Sequence, residues 1–321
     1  MISKGAFTQN LDTFKAKTWR LSDQVAAFSI NYTPSSISLA SLVKPVIIPF
    51  NYDTNGLKSG HVIEGQGLTE SLLNQAIEYF QKALYNFNCH YILAKQGYHS
   101  WASVTNYYSS YFSIFSLLSL QGRAITRVDI GNNGQLIPCL IYPIDLRKHE
   151  YVITTKEGAD ATHKLPWRRY YDVYNSYQCL KPQFDVIQQS QYVTEPIIES
   201  EERNRINYKI YEGFQEVIDV SNITTFKTNY MNTISIPALG DVTDSYLNTL
   251  RSLATDPDFK FFARSALRLV LIKVLFDQIG NSNNSFKTAY ISRIPIIKQS
   301  LFDIYSPPAN YFEDFANTFL I

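Results

Sequence analysis

Apolar residues recur at helical spacing over two long neighbouring stretches. Leu73, Ile77, Phe80, Leu84, Phe87 and Tyr91 mark one face of an amphipathic helix that starts near Thr69, a candidate N-cap. After Gly97, Ser100 caps a second helix that Gly122 is placed to end. In this helix Trp101, Val104, Tyr108, Phe112, Phe115 and Leu118 form one stripe, and Tyr107, Tyr111, Ile114 and Leu117 form another on the adjoining face. From Gln96 to Gly122 there is no Asp, Glu, Lys or Arg, and a helix apolar on most sides belongs inside a bundle. The short link predicts that the two helices pack as an antiparallel hairpin.

The pattern shifts on either side of this pair. Residues 1–68 read as an irregular, β-rich segment: Gln24–Tyr32 and Val43–Phe50 mix β-branched and aromatic residues, and Asp53–Gly56 is a turn signal. Ala124–Ile130 and Gln135–Tyr142 flank Gly131-Asn-Asn-Gly134, a hairpin signal, and Tyr151–Thr155 supplies a third strand. Helical periodicity returns at Trp167–Tyr177 and at Ile197–Val220. A further helix is delimited by Asp256 as cap, Pro257 in the first turn and Gly280 as stop. Residues 281–285 read as a loop, and a last helical region is interrupted by Pro295 and Pro307-Pro308. The expected fold is mainly α: a helical bundle built on the long antiparallel hairpin, with an N-terminal irregular/β segment and a β-hairpin insertion. The expected division is 1–68, a bundle over 69–220 with the insertion at about 123–156, and a helical region over 221–321.

Composition narrows the classes. With 29 basic and 28 acidic residues the net charge is +1, so no overall field draws nucleic acid or anionic membrane, and any such surface is local. Cys89, Cys139 and Cys179 are odd in number and widely spaced, which argues for a reducing compartment. The N-terminal stretch lacks the apolar core of a signal peptide. The uncharged 96–122 segment carries too many Ser, Tyr, Asn and Gln residues for a membrane span. A soluble cytoplasmic protein is expected, with no metal and no cofactor.

Standard catalytic signatures are missing: there is no Cys-x-x-Cys pair, His-Glu-x-x-His, glycine-rich phosphate loop or nucleophile elbow. Cys89-His90 are adjacent, and adjacent helical residues diverge by about 100°, so a structural role is the better reading. Lys164, Trp167, Arg168, Arg169 and Tyr170 interleave cations with rings, the chemistry that grips a phosphate backbone and stacks bases. Lys260, Arg264 and Arg268 stand one turn apart on a single helix face and could neutralise phosphates if exposed. Both clusters are equally compatible with cations snorkelling around a core.

The aromatic helix Trp101–Gly122, together with Glu202-Arg-Asn-Arg-Ile-Asn-Tyr-Lys209, resembles the HEPN superfamily of prokaryotic defence and toxin–antitoxin proteins. That resemblance spans about 69–220 without the β insertion, and it implies a small helical bundle, often dimeric, whose active members cut RNA. The family motif is an arginine, often followed by a polar residue, with a histidine a few residues beyond. Arg203-Asn204 matches its opening, and Tyr208 stands where the histidine would be. Histidine titrates near about 6.5 and tyrosine near about 10, so Tyr208 is a poor base. Two functions follow from the resemblance: a non-catalytic interaction subunit that binds a second copy, another defence protein or RNA, and an RNA-cleaving effector using Arg203, Asn204 and Tyr208 without a metal. The missing histidine ranks the first above the second, and a mixed-charge helix face is the plain alternative for residues 199–212.

Overall fold

A computed structural model describes residues 2–6, 19, 21–28, 32, 37–47, 60–129, 136–155, 163–173, 198–208 and 260–292. The chain is mostly helical with a small antiparallel sheet. In order the elements are β1 (Ile2–Ala6), α1 (Leu21–Phe28), α2 (Leu39–Ile47), β2 (His61–Glu64), α3 (Gln66–Gln96), α4 (His99–Leu120), β3 (Ala124–Asp129), β4 (Leu136–Asp145), β5 (Glu150–Thr155), α5 (Lys164–Val173), α6 (Ile198–Tyr208), α7 (Lys260–Ser282) and α8 (Asn284–Ser292). They fall into two compact units. Unit 1 is drawn from Met1–Glu78, Phe115–Leu180 and Leu275–Ala289, and unit 2 from Tyr79–Ile114, Lys181–Val274 and Tyr290–Ile321.

Unit 1 is built on a five-stranded sheet of order β1-β2-β5-β4-β3, antiparallel throughout. The expected strands at 124–130, 135–142 and 151–155 are its second half, and the N-terminal strands β1 and β2 extend the same sheet. Its register sets His61, Ile153, Ile141 and Ala124 in one row across four strands. That face, with Ile63, Val128, Cys139 and Tyr151, packs on Leu39, Val43, Ile47, Leu68 and Leu72. The opposite face, Leu140, Tyr142 and Val152, packs on Leu165 of α5. Both faces bury apolar side chains, so alternation along the strands is weaker than in a half-solvated sheet.

The sequence reading of 24–32 and 43–50 as β-rich is corrected: α1 and α2 are helices. In α2 the buried residues Leu39, Val43 and Ile47 recur every four positions, and the Ser38 hydroxyl accepts a bond from Ser41 N at 3.2 Å as an N-cap. Burial of that stripe overrides the β propensity of Val and Ile. Thr69 does not cap α3, which begins at Gln66. Thr69 is buried, and its hydroxyl pairs with Tyr151 Oη at 2.6 Å and His149 Nδ1 at 3.0 Å. Gly280 does not stop α7. The helix runs to Ser282, and the expected loop at 281–285 shrinks to Asn283 between α7 and α8. Asn283 is buried, accepts a bond from Phe286 N and donates one to Phe28 O, so one side chain caps α8 and satisfies α1. The turn signals at 53–56 and 131–134, the Asp256-Pro257 cap, the stretch 209–220 and the region after 292 lie outside the described residues.

α3 and α4 meet at Ser116 Oγ, which donates to Ala76 O at 2.8 Å within unit 1. Within unit 2 they meet through the stacked rings of Tyr79 and Phe112 and through His90 Nδ1, which donates to Ala102 O at 2.8 Å. The second apolar stripe of α4, Tyr107, Tyr111, Ile114 and Leu117, is buried throughout, and Val104 and Leu118 of the first stripe are buried with it. In the first stripe Trp101 is 62% exposed.

α3 and α4 each end at a left-handed glycine, Gly97 at φ 89° and Gly122 at φ 70°. After each, the next N–H reaches back to the last turn, Tyr98 N to Leu93 O and Arg123 N to Leu118 O, both at 2.9 Å. A Cβ on Gly97 meets open space, whereas one on Gly122 collides with Leu146 Cδ2 and crowds Pro143. Gly97→Ala is expected to cost about 1–2 kcal/mol, from the left-handed backbone alone. Gly122→Ala adds about 1–3 kcal/mol of overpacking, and urea unfolding of the two variants measures the difference.

Candidate functional site

α6 reads Ile-Glu-Ser-Glu-Glu-Arg-Asn-Arg-Ile-Asn-Tyr, with acids in its first turn and Arg205 in its last, the order that suits the helix dipole. Its polar residues are not all solvated. Within unit 2 Glu199 and Ser200 are buried, at 3% and 1% exposure. Opposite stands Arg268 of α7, with no exposed surface. Arg268 Nη2 donates to Glu199 Oε1 at 2.8 Å, and Nη1 donates to Glu199 Oε2 at 3.0 Å and to Ser110 Oγ of α4 at 2.8 Å. This is a bidentate guanidinium–carboxylate pair with a hydroxyl at its side. One turn before Arg268, Arg264 is buried, and Ser265 Oγ donates to Ser109 Oγ at 2.9 Å.

Burial pushes the Glu199 carboxyl up to about 7, while Arg264 and the Ser110 hydroxyl pull the other way. The bidentate contact with Arg268 favours its ionised form. Burial likewise lowers the Arg264 guanidinium, and Glu199 raises it.

The two motif residues of α6 face each other. Arg203 Nη1 donates to Asn204 Oδ1 at 2.8 Å, and Nη2 donates to Tyr108 Oη at 3.0 Å. The guanidinium lies 5.9 and 5.7 Å from the ring centres of Tyr107 and Tyr108, a cation–π arrangement. Tyr208 ends α6, and its side chain lies outside the described ones. Arg205 Nε donates to Glu202 Oε2 at 3.0 Å, an ion pair within α6.

The first basic cluster lies on α5 in unit 1. Trp167 and Tyr170 are buried, at 1% and 3% exposure, because they form the inward face of α5. The expectation that they stack bases is corrected on that ground. Arg168 is exposed and Lys164 half-buried. Arg169 pairs with Asp172 at 3.1 Å and lies 5.9 Å from the Tyr142 ring, which Arg123 approaches at 5.4 Å. In the second cluster, Arg264 and Arg268 are interior residues, which removes their reading as surface phosphate contacts. The Lys260 side chain lies outside the described ones.

Cys89 and His90 sit in different surroundings. The His90 ring is buried beside Phe87 and Phe262, and burial lowers it to about 4 against the pull of Ala102 O. The half-buried Cys89 thiol is raised by burial. Among the described residues no three His, Cys, Asp or Glu side chains are placed to hold a metal ion, and no helix is long and apolar enough to cross a membrane.

Sequence reading missed Glu199 and Ser110. The available signal was Arg264 and Arg268 one turn apart on a helix otherwise rich in Leu, Ile, Val and Phe, since a cation on a buried face needs an acid. No protein-family model, curated protein or solved structure matches the chain.

Arg268→Ala leaves Glu199 buried without its bidentate partner, and it is expected to cost about 3–5 kcal/mol in urea unfolding. The pair Arg268→Met with Glu199→Leu is expected to recover most of that loss. His90 titrates near about 6.5 when unfolded and about 4 when folded, so the unfolded chain binds the extra proton between those values. Its contribution is complete above pH 6.5, is lost as pH falls towards 4, and is worth on the order of 3 kcal/mol. The slope of unfolding free energy against pH over that window is expected to flatten in His90→Gln.

Proposed function

We propose that this chain is a non-catalytic, HEPN-like interaction subunit of a prokaryotic antiviral defence or toxin–antitoxin system. It works in the cytoplasm as a homodimer or in a complex with another defence protein, with RNA as a further ligand and no membrane partner. The observation that carries this reading is the engagement of Arg203. The arginine that matches the family motif bonds to its own neighbour Asn204 and to Tyr108, and it leans on two tyrosine rings. Cleavage needs that cation at a developing phosphorane, and it needs an acid and base able to move a proton near neutral pH. Tyr208 in the histidine's position supplies no such group at its ordinary pKa.

A bundle built on an α3–α4 hairpin is part of the same proposal. It is supported by the contacts 76 with 116, 79 with 112 and 90 with 102, whose order reverses along the two helices. For docking, Tyr98 and Trp101 are 55% and 62% exposed in the uncharged stretch at the start of α4. Aromatic side chains of this kind anchor interfaces, and an uncharged patch meets a second copy of itself without like-charge repulsion.

Light scattering at micromolar concentration is expected to show a dimer, and Tyr98→Ser with Trp101→Ser a monomer of nearly unchanged stability. A wild-type monomer over that range, with no partner recovered from its host, overturns the reading. In a metal-free assay the protein is expected to leave a mixed RNA pool intact, since general acid–base help worth about 10²–10⁴-fold is missing. Rapid cleavage abolished by Tyr208→Phe makes the chain a ribonuclease instead.

A further inference from the structure

In unit 1 the turn between β4 and β5 ends on His149, whose backbone stands at φ 55°, in the left-handed region that residues with a side chain seldom adopt. Its amide donates to Leu146 O at 3.2 Å, and its carbonyl accepts from Gly65 N, just before α3, at 3.1 Å. Its ring Nδ1 meets the Thr69 hydroxyl of α3 at 3.0 Å, and that hydroxyl meets Tyr151 Oη of β5 at 2.6 Å. The same turn sets Leu146 beside Gly122 at the end of α4 and pairs Arg147 with Asp23 of α1.

The ring and the two hydroxyls form a chain with a direction. Thr69 and Tyr151 are fully buried, and among the described residues Thr69 is the hydrogen-bond partner of Tyr151 Oη. The Tyr151 proton is therefore satisfied when it goes to Thr69, which then gives its own to His149 Nδ1. Nδ1 can accept only in the neutral ring that carries its proton on Nε2. A second proton has to sit on Nδ1, and it turns the chain round: His149 donates to Thr69 and Thr69 to Tyr151. The Tyr151 proton is then buried without an acceptor, which is costly.

The charges around the ring are mixed in effect. Burial holds the His149 ring below its ordinary value of 6.5, while Glu64 of β2, Glu70 of α3 and Asp145 of β4 pull it up. Lys4 pairs with Glu64 and with Glu150, the next residue along, and Lys148 lies 3.8 Å from Asp145.

We propose that His149 is a pH-operated latch: neutral, it holds the β4–β5 turn on the start of α3, and on protonation it lets go of the turn that touches α1, α3 and α4. A charged ring is better solvated outside than in the reversed chain, and a released turn no longer holds the left-handed backbone. The signal it reads is mild acidification, where imidazole changes charge. The latch makes no use of the Arg203 contact on which the proposed function rests, so either can fail alone.

NMR titration and amide exchange of the full chain between about pH 8 and pH 5 test this, with the His149 ring signal assigned by its loss in His149→Gln. The ring is expected to titrate below its ordinary value. As it does so, the Gly65 and His149 amides are expected to exchange several-fold faster relative to the β3–β4 ladder. Tyr151→Phe removes the proton that lacks a second acceptor, so its His149 is expected to titrate higher than in wild type and its turn to stay closed in acid. Burial alone predicts no rise, because phenylalanine is the more apolar residue. The proposal is overturned by a wild-type ring that titrates at or above its ordinary value, by Gly65 and His149 amides that keep their protection over that range, or by an unchanged or lower titration in folded Tyr151→Phe. If that variant does not fold, the wild-type titration and exchange decide.

Discussion

A guanidinium with no exposed surface has to find its counter-charge inside the protein, and in unit 2 that requirement fixes which faces α4, α6 and α7 turn towards one another. Arg268 takes both oxygens of Glu199 and the Ser110 hydroxyl. Apolar packing alone leaves a helix free to rotate or slide by a turn, because leucine and phenylalanine side chains interchange with modest loss. Two parallel N–H bonds to one carboxylate do not permit that. Once Glu199 is placed, Arg203 follows one turn later and lands on Tyr107 and Tyr108. The same pair explains why α4 carries serines where a bundle helix would carry leucine: Ser109 and Ser110 answer Ser265 and Arg268.

Much of the fold was legible where one signal dominated. Gly97 and Gly122 are at positive φ and end their helices as composition suggested, and the three strands after Gly122 pair as their alternation and turn residues imply. The failures have local causes. In α2 the β-branched residues at 43, 46 and 47 pointed to a strand, and the cap at Ser38 with a four-residue spacing was the weaker signal that won. At 281–285 a run of Asn and Ser looked like a loop. Only Asn283 interrupts the helices, because its amide serves two backbone groups at once.

The candidate site was less readable, since a sequence gives residue types and not the side they face. Trp167 and Tyr170 were singled out for their rings and Arg264 and Arg268 for their charge, and all four are interior. Trp101, read as part of a buried stripe, is the exposed ring. In each case the helical period was right and the phase was undetermined, because an aromatic side chain suits a core and an interface equally well. Partners distant in sequence, such as Glu199 with Arg268, are set by tertiary contact and leave no local trace.

The strand order β1-β2-β5-β4-β3 has a consequence for the order in which the chain is made. β2 ends at Glu64 and its neighbour β5 begins at Glu150, so the N-terminal half of the sheet waits for its central partner while α3, α4, β3 and β4 are synthesised. At ribosomal speeds of about 5–20 residues per second that interval is on the order of ten seconds. Contacts so distant along the chain are reached late, after the entropy of closing a long loop has been met. Over that interval β1 and β2 are a two-stranded ribbon without a third strand, which is marginal alone in water. The bulge at Gly5 twists the free edge of β1, and a twisted edge is a poor template for a neighbouring nascent chain.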